Sequence, residues 1–258
     1  MSNSPVLQIE SLDAATVLLT LNRPERRNAL TIELMQAVCA AFEAIANEPQ
    51  RRVVLIQGAG VAFCSGLDLQ EAADMSVAEE SASWVAQLFQ VVRASPLITI
   101  AMAQGAAFAG GAGLLACCDF AIGTDDLKIG FPEVRRGLIP ALVAVVLADR
   151  LHQHDLNELF LIAEPIGAAR AQSMGLLHHV VATDQLLSEA RLLASKILNG
   201  GPDAVRETKS LLRDLRLTDP SQRISHALAV HTRIRQSEEA NEGLKAFLER
   251  RDPRWSSS

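Results

Sequence analysis

From Leu97 to Cys118 the chain carries no charged side chain. A run of this length is either a membrane span or the heart of a buried core, because a charge in either place would have to be desolvated. Gln104, Gly105, Gly110, Gly111 and Gly113 interrupt the run, and Ile98-Thr99-Ile100-Ala101-Met102 has the apolar, β-branched pattern of a strand covered on both faces. The stretch therefore reads as a buried strand that empties into a glycine-rich loop, and no membrane partner is expected.

Other strands alternate with helices around it. Thr16 to Leu21 is a β-branched and leucine-rich run that stops at Asn22-Arg23-Pro24. Thr31 is placed to cap a helix with Glu33 in its first turn and Leu34, Met35, Val38, Phe42 and Ile45 at helical spacing before Pro49. Val53 to Gln57 is a second buried strand closed by Gly58-Ala59-Gly60, a helical stretch follows near Ala78 to Ala94, and Asp119 to Gly123 and Leu127 to Ile129 continue the strands. Strands separated by helices predict an α/β fold with a mostly parallel sheet, since parallel neighbours need crossovers. From Gln185 onward the pattern is helix only: Leu186, Leu187, Ala190, Leu193 and Ile197, then a long segment from Ser221 to Arg250. Asn199-Gly200-Gly201-Pro202 is the clearest linker, so residues 1–198 read as the core and 199–258 as a helical region. Amphipathic helices there have a face to bury, which favours oligomerisation.

Composition narrows the partners. With 24 Lys+Arg against 30 Asp+Glu the formal charge is −6, a poor match for nucleic acid or an anionic membrane. Tyrosine is absent and aromatics make up 4%, so stacking platforms for bases are not expected. Cys39, Cys64, Cys117 and Cys118 have no C-x-x-C spacing and read as free thiols in a reducing compartment. Met1 to Glu10 lacks the basic patch and apolar run of a signal peptide, so a cytoplasmic location is the expectation. His152-x-His154 and His178-His179 have no third ligand at suitable spacing, and no metal site is expected.

Chemistry is concentrated in two loops and one carboxylate. Ala62 to Leu69 and Gln104 to Gly113 are glycine-bearing loops that each follow a strand, and together they can aim backbone N–H groups at one point. A helix starting at Gly110 would add its dipole. Neither loop is G-x-G-x-x-G or a Walker loop, and close helix packing explains any single glycine equally well. Ser65 is read as structural, because Phe63 stands where a nucleophile elbow requires glycine. Glu133, in Gly130-Phe131-Pro132-Glu133, is a candidate general acid/base beside apolar neighbours. Local sequence alone favours an ion pair with Arg135 or Arg136 instead. Asp68 and Asp119 read as acceptors for backbone donors in their loops.

Taken in order and spacing, these segments closely resemble the enoyl-CoA hydratase/isomerase (crotonase) superfamily. The segments are Asn22-Arg23-Pro24 with Asn28-Ala29-Leu30, Ala62 to Leu69, the glycine loop ending near Cys118-Asp119, Gly130 to Glu133, Gly137-Leu138-Ile139-Pro140, Ala171 to Val181 and Gly243 to Trp255. The resemblance implies a spiral of β-β-α turns, a C-terminal α-helical trimerisation region forming a homotrimer or dimer of trimers, and an acyl-CoA thioester as substrate. Coenzyme A would enter as part of that substrate, with no permanently bound cofactor. The family's two oxyanion-binding N–H groups fall on Leu67 and Gly110, and Ala109, Gly113 and Phe131 line the acyl group. Arg26 and Arg27 sit where members often contact the coenzyme A phosphates or pantetheine, with surface solvation an equal alternative, and the backbone from Ser65 to Leu67 would line the adenine pocket.

One departure divides the functional readings. The family's hydratases usually carry two glutamates, and the corresponding positions here are Gly113 and Glu133. A lone glutamate matches Δ3,Δ2-enoyl-CoA isomerases. The Pro140-Ala141 start of the following segment looks more like bacterial hydratases of branched glutaconyl-CoA esters, and the hydratase reading is preferred narrowly. A non-catalytic acyl-CoA binder is a third possibility. Pocket shape depends on Ala72 to Phe89, which sequence does not place.

Overall fold

Thr16 to Leu21 is buried at every position because both faces of its sheet are covered. The computed structural model describes residues 4–257. The strands are β1 (Leu7–Ser11), β2 (Thr16–Leu21), β3 (Val53–Gly58), β4 (Ile98–Ala103), β5 (Ala106–Phe108), β6 (Phe120–Thr124), β7 (Lys128–Gly130), β8 (Ile166–Gly167) and β9 (His179–Val181). A six-stranded sheet has the order β1-β2-β3-β4-β6-β9, antiparallel between β1 and β2 and parallel thereafter. A second row consists of β5-β7-β8, extended by isolated bridges Leu30 to Leu67 and Cys64 to Ala107. The chain passes repeatedly from a long strand to this second row and then into a helix, which is the β-β-α spiral the resemblance implies.

The helices are α1 (Ile32–Ala46), α2 (Leu69–Ala73), α3 (Ala78–Ala94), α4 (Gly110–Cys117), α5 (Ala141–Ala148), α6 (Gln153–Asn157), α7 (Ala168–Ser173), α8 (Leu186–Leu198), α9 (Pro202–Leu217), α10 (Arg223–Arg235) and α11 (Glu238–Glu249). Thr31 Oγ1 caps α1 by accepting from Leu34 N at 3.3 Å, and Leu34, Met35, Val38, Phe42 and Ile45 are its buried face, as their spacing predicts. Side-chain alternation splits the sheet. Val17, Leu19, Val54, Ile56 and Ala101 share the large core with α1, α3 and α4, whereas Leu18, Leu55, Ile100, Met102 and Ile122 meet Leu186, Ala190 and Ala194 of α8. Among the described residues, no helix is long and apolar enough to cross a membrane.

Three features differ from the sequence expectation. The strands expected at Asp119 and Leu127 each begin one residue later, and the Asp119 carboxylate instead accepts from Thr99 N at 2.8 Å and Thr99 Oγ1 at 2.9 Å. The segment from Ser221 to Arg250 is broken, because Ser237 accepts from Ala240 N at 3.1 Å and starts α11 as a separate helix. Helix α9 lies between the linker and that segment. Pro202 occupies its first turn, and Glu239 of α11 accepts from Asp203 N and Ala204 N at 2.9 and 2.8 Å, a cap supplied from far along the chain.

The helical region is tied to the core by Lys209, which reaches Asp119 at 2.7 Å and Leu97 O at 2.6 Å. Within α9, α10 and α11, Ala246 is the one buried residue among those described. Leu217, Ile224, Phe247 and Leu248 are each at least 80% exposed.

Candidate active site

The turn after β2 and the turn after β3 are joined by one side chain. Asn28 is buried at a positive φ of 56°. Its carboxamide accepts from Arg23 N at 2.9 Å and donates to Ala59 O at 2.9 Å and Ala62 O at 2.8 Å. That clamp sets Leu30 beside Leu67: Leu30 N donates to Gly66 O at 2.8 Å and Asp68 N donates to Leu30 O at 2.9 Å. The peptides on either side of Leu67 are thus engaged, while the Leu67 N–H has no acceptor among the described residues. Asp68 caps α2 by accepting from Gln70 N at 3.0 Å, in line with its expected loop role, and also pairs with Arg23 at 3.1 Å.

The second loop is fixed in the same way. Phe108 N donates to Cys64 O at 3.0 Å and Ala109 N to Gly130 O at 2.8 Å. Between that ladder and α4, Ala109 adopts φ 47° and ψ −122°, a region essentially reserved for glycine that costs about 1–3 kcal/mol. The strained residue turns the chain out of the ladder, and Gly110 opens α4 with its N–H likewise lacking an acceptor among the described residues. Gly66, at φ 92°, makes the approach of the two loops possible. A Cβ there would lie 2.9 Å from Phe108 O and 3.4 Å from Gly110 N, and a Cβ on Gly110 would lie 3.9 Å from Leu67 N. The N–H groups of Leu67 and Gly110 are therefore neighbours across a gap that a side chain at position 66 would close. Two such donors at a helix N-terminus can bind one developing negative charge.

Glu133 enters through β7, whose last residue, Gly130, is bonded to Ala109. Phe131 is fully buried edge-on to Phe160, with ring centroids 5.2 Å apart, and Pro132 leads into a short 3-10 turn from Glu133 to Arg136. The expected ion pair is corrected here. Arg135 instead reaches Ile162 O at 3.1 Å and Glu164 at 3.3 Å, and among the described residues neither Arg135 nor Arg136 pairs with Glu133. Glu133 Oε2 is shielded from solvent and has no hydrogen-bond partner among the described residues. Burial pushes the carboxyl above its ordinary range, with its own backbone N–H and Arg136 pulling the other way. A desolvated carboxylate with an idle oxygen is suited to taking and returning a proton.

Position 113 holds the feature that sequence reading missed. A Cβ built on Gly113 would lie 3.2 Å from Phe89 Cε1, 3.0 Å from Cε2 and closer still to Cζ. The Phe89 ring, projecting from the buried face of α3 with Val85, Leu88 and Val92, occupies the volume of any side chain there. Helical spacing in Ala78 to Ala94 marks Phe89 as buried, but spacing carries no signal for which glycine it covers.

The remaining residues gather at the same loops. Ser65 N donates to Arg27 O at 3.0 Å and Ser65 Oγ to Arg26 O at 3.4 Å, which holds Arg26 and Arg27 beside the Ser65 to Leu67 backbone. Both arginines are exposed and have no acidic partner among the described residues. The bond to Arg26 O fits the structural reading of Ser65. All four cysteines are free and buried, and burial pushes the Cys64 and Cys118 thiols up to about 12, which removes them as nucleophiles. His178 Nδ1 accepts from Ala121 N at 3.1 Å and His179 pairs with Glu189 at 2.8 Å, and no group of metal-binding side chains occurs among the described residues.

Comparison with known proteins gives the family. A sequence profile described as enoyl-CoA hydratase/isomerase matches residues 12–258. An enoyl-CoA isomerase/hydratase of Mycosarcoma maydis is 31% identical over 91% of this chain and 90% of its own length. A mevalonyl-coenzyme A hydratase of Aspergillus fumigatus is 31% identical over 93% of this chain and 90% of its own. The crystal structure of an enoyl-CoA hydratase from Mycobacterium smegmatis superposes with a TM-score of 0.93 at 30% identity, covering 98% of this chain and 99% of that one. With a β-β-α spiral, two free N–H groups at facing loops and a match along nearly the whole sequence, the chain belongs to the enoyl-CoA hydratase/isomerase family.

Proposed function

We propose that the protein is a hydratase-type lyase that adds water across the C2–C3 double bond of a 2-enoyl-CoA thioester, or removes it in the reverse direction. The observation that carries this reading is the pair of adjacent, unengaged N–H groups on Leu67 and Gly110. They accommodate the thioester oxygen as it gains charge, so they bind the enolate more tightly than the substrate. As the water oxygen bonds to C3, the alkene electrons shift into the C1–C2 bond and the carbonyl pair moves onto the thioester oxygen held by these two donors. Glu133 takes a proton from the water and delivers one to C2, which restores the carboxylate and the carbonyl. Ala109 borders the acyl group, whereas Gly113 is covered by Phe89 and Phe131 is fully buried against Phe160, so neither offers it a surface. Arg26 and Arg27 meet the phosphates of coenzyme A, which arrives as part of the substrate. Of the two relatives described above, one is named a hydratase and the other an isomerase/hydratase. The exposed apolar side chains of α9, α10 and α11 support assembly as a homotrimer or a dimer of trimers.

A second reading, Δ3,Δ2-enoyl-CoA isomerisation, is favoured by the absence of a carboxylate at Gly113. One glutamate suffices to carry a proton from C2 to C4 while the double bond moves from C3–C4 to C2–C3. Incubation with 2-enoyl-CoA and 3-enoyl-CoA esters, followed by mass spectrometry, separates the two. A gain of one water on the 2-enoyl ester, lost in Glu133→Gln, is the expected result. Conversion of the 3-enoyl ester at constant mass without hydration replaces it with the isomerase reading. Binding of both esters with no turnover leaves an acyl-CoA binder.

A further inference from the structure

Glu133 stands in a 3-10 turn that contains no buried residue, and its shielded Oε2 has no hydrogen-bond partner among the described residues. The turn itself therefore does little to fix the carboxylate, and its placement comes from the residues on either side. Both flanks end on one segment, a π-helical turn from Glu158 to Ile162. Two residues before Glu133, the Phe131 ring meets Phe160 edge-on with centroids 5.2 Å apart. Two residues after it, Arg135 Nη2 donates to Ile162 O at 3.1 Å and reaches Glu164 at 3.3 Å. We infer that this π-helical turn is the platform that orients Glu133, and that Arg135 is the positioning residue that fastens the Glu133 turn to it. The inference rests on the reading of Glu133 as the group that carries the proton.

The platform is itself held from two sides. Leu159 and Phe160 are buried, and Arg170 of α7 ties the start of the turn by bonding to Glu158 Oε2 at 2.5 Å and to the buried Asp155 at 2.6 Å. Ala163, at a left-handed φ of 57°, ends the turn. The last carbonyls of any helical segment lack partners within it, and Arg135 supplies a donor to one of them, Ile162 O. π-helical turns are rare and occur mostly where function uses them, which fits a segment that serves a neighbouring carboxylate. The two flanks are unequal. Phe131 is fully buried and belongs to the core, whereas the Arg135 side chain is half exposed, so its bond to Ile162 O can be removed without unpacking anything. The same bond keeps the guanidinium away from Glu133, and the carboxylate stays free of an ion pair. Proton transfer depends steeply on placement, and a shift of about 1 Å costs about 10²-fold.

The test measures kcat and KM separately for two variants at position 135, on whichever of the 2-enoyl-CoA and 3-enoyl-CoA esters the wild type converts. Glu133 carries the proton in both reactions, so either ester reports on its placement. Arg135→Met keeps the aliphatic stem and removes the donor. Its kcat is expected to fall about tenfold or more, with KM and the urea midpoint unchanged. Arg135→Lys sets one ammonium where a single nitrogen, Nη2, makes both bonds, and is expected to recover most of the lost kcat. A kcat unmoved by Arg135→Met, a KM that rises as kcat falls, or a lysine variant no better than the methionine one overturns the positioning role and leaves the hydratase reading intact. Conversion of the 3-enoyl ester alone replaces the hydratase reading and leaves the positioning role to be decided by the same two variants. Conversion of neither ester overturns both.

Discussion

Gly110 and Gly113 lie on adjacent turns of α4, and the absence of a side chain means something different at each. At Gly110 a Cβ would meet Leu30 Cδ1 at 3.4 Å and otherwise only atoms near 4 Å, so what matters there is the peptide N–H. At Gly113 the space is already taken by Phe89. The first corner of the site is made of backbone, positioned by the bonds that hold Leu30, Cys64 and Gly130 in register. The second corner is a side chain, Glu133, positioned by the packing of Phe131 just before it. A backbone corner keeps its chemistry whatever residues line it, and a side-chain corner changes its chemistry with one substitution.

That contrast can be broken or sharpened experimentally. The largest effect is expected at the side-chain corner: Glu133→Gln lowers turnover by about 10²–10⁴-fold, as for loss of a general acid/base, with acyl-CoA binding retained in a competition assay. At the backbone corner, Gly66→Ala pushes a Cβ to 2.9 Å from Phe108 O at a positive φ and spreads the Leu67 and Gly110 donors. A fall in kcat of about 10²-fold, with little change in KM, is the outcome that fits displacement of one donor. Gly113→Ala overpacks the ring, and urea unfolding should register a loss of about 1–3 kcal/mol that Phe89→Leu in the same chain restores.

The pH dependence of stability isolates Glu133. Its folded-state pKa is raised, so the folded protein holds the proton more tightly than the unfolded chain. Stability is lost as pH rises from the ordinary value of 4.5 through the raised folded value, and Glu133→Gln has no such loss. The variant should therefore have the higher urea midpoint at neutral pH, and a midpoint below that of the wild type there would contradict the burial of an unpaired carboxylate. The smallest effect belongs to Arg26→Ala and Arg27→Ala. Each exposed guanidinium contributes about 0.2–1 kcal/mol to binding a phosphate, visible as a modest rise in KM that added salt erases.

Much of this was legible in the residues. The spacing of Leu34, Met35, Val38, Phe42 and Ile45 specifies a helix with one buried face, and the structure has that helix. The buried run from Ile98 to Met102 and the glycines after it specify a strand entering a loop. The ladder that brings Gly130 to Ala109, and hence Glu133 to the glycine loop, follows from the family resemblance rather than from any local pattern. The ion pair expected for Glu133 failed because Arg135 found Glu164 and Ile162 O, partners on a later turn of the chain. The helical reading of residues 199–258 covers α9 but not its bounds, because its first turn is capped from far along the chain by Glu239 of α11.

By itself the sequence determined the α/β alternation, the inward faces of the strands and helices and the positions of the two glycine loops, because periodicity, capping and glycine content act between near neighbours. Tertiary structure decided that the N–H groups of Leu67 and Gly110 stand side by side, that Glu133 keeps an unpartnered oxygen, and that Phe89 fills the space a side chain at position 113 would take. Each of these depends on which volumes remain once distant segments have packed, and a volume is a property of the folded chain that residue spacing does not record.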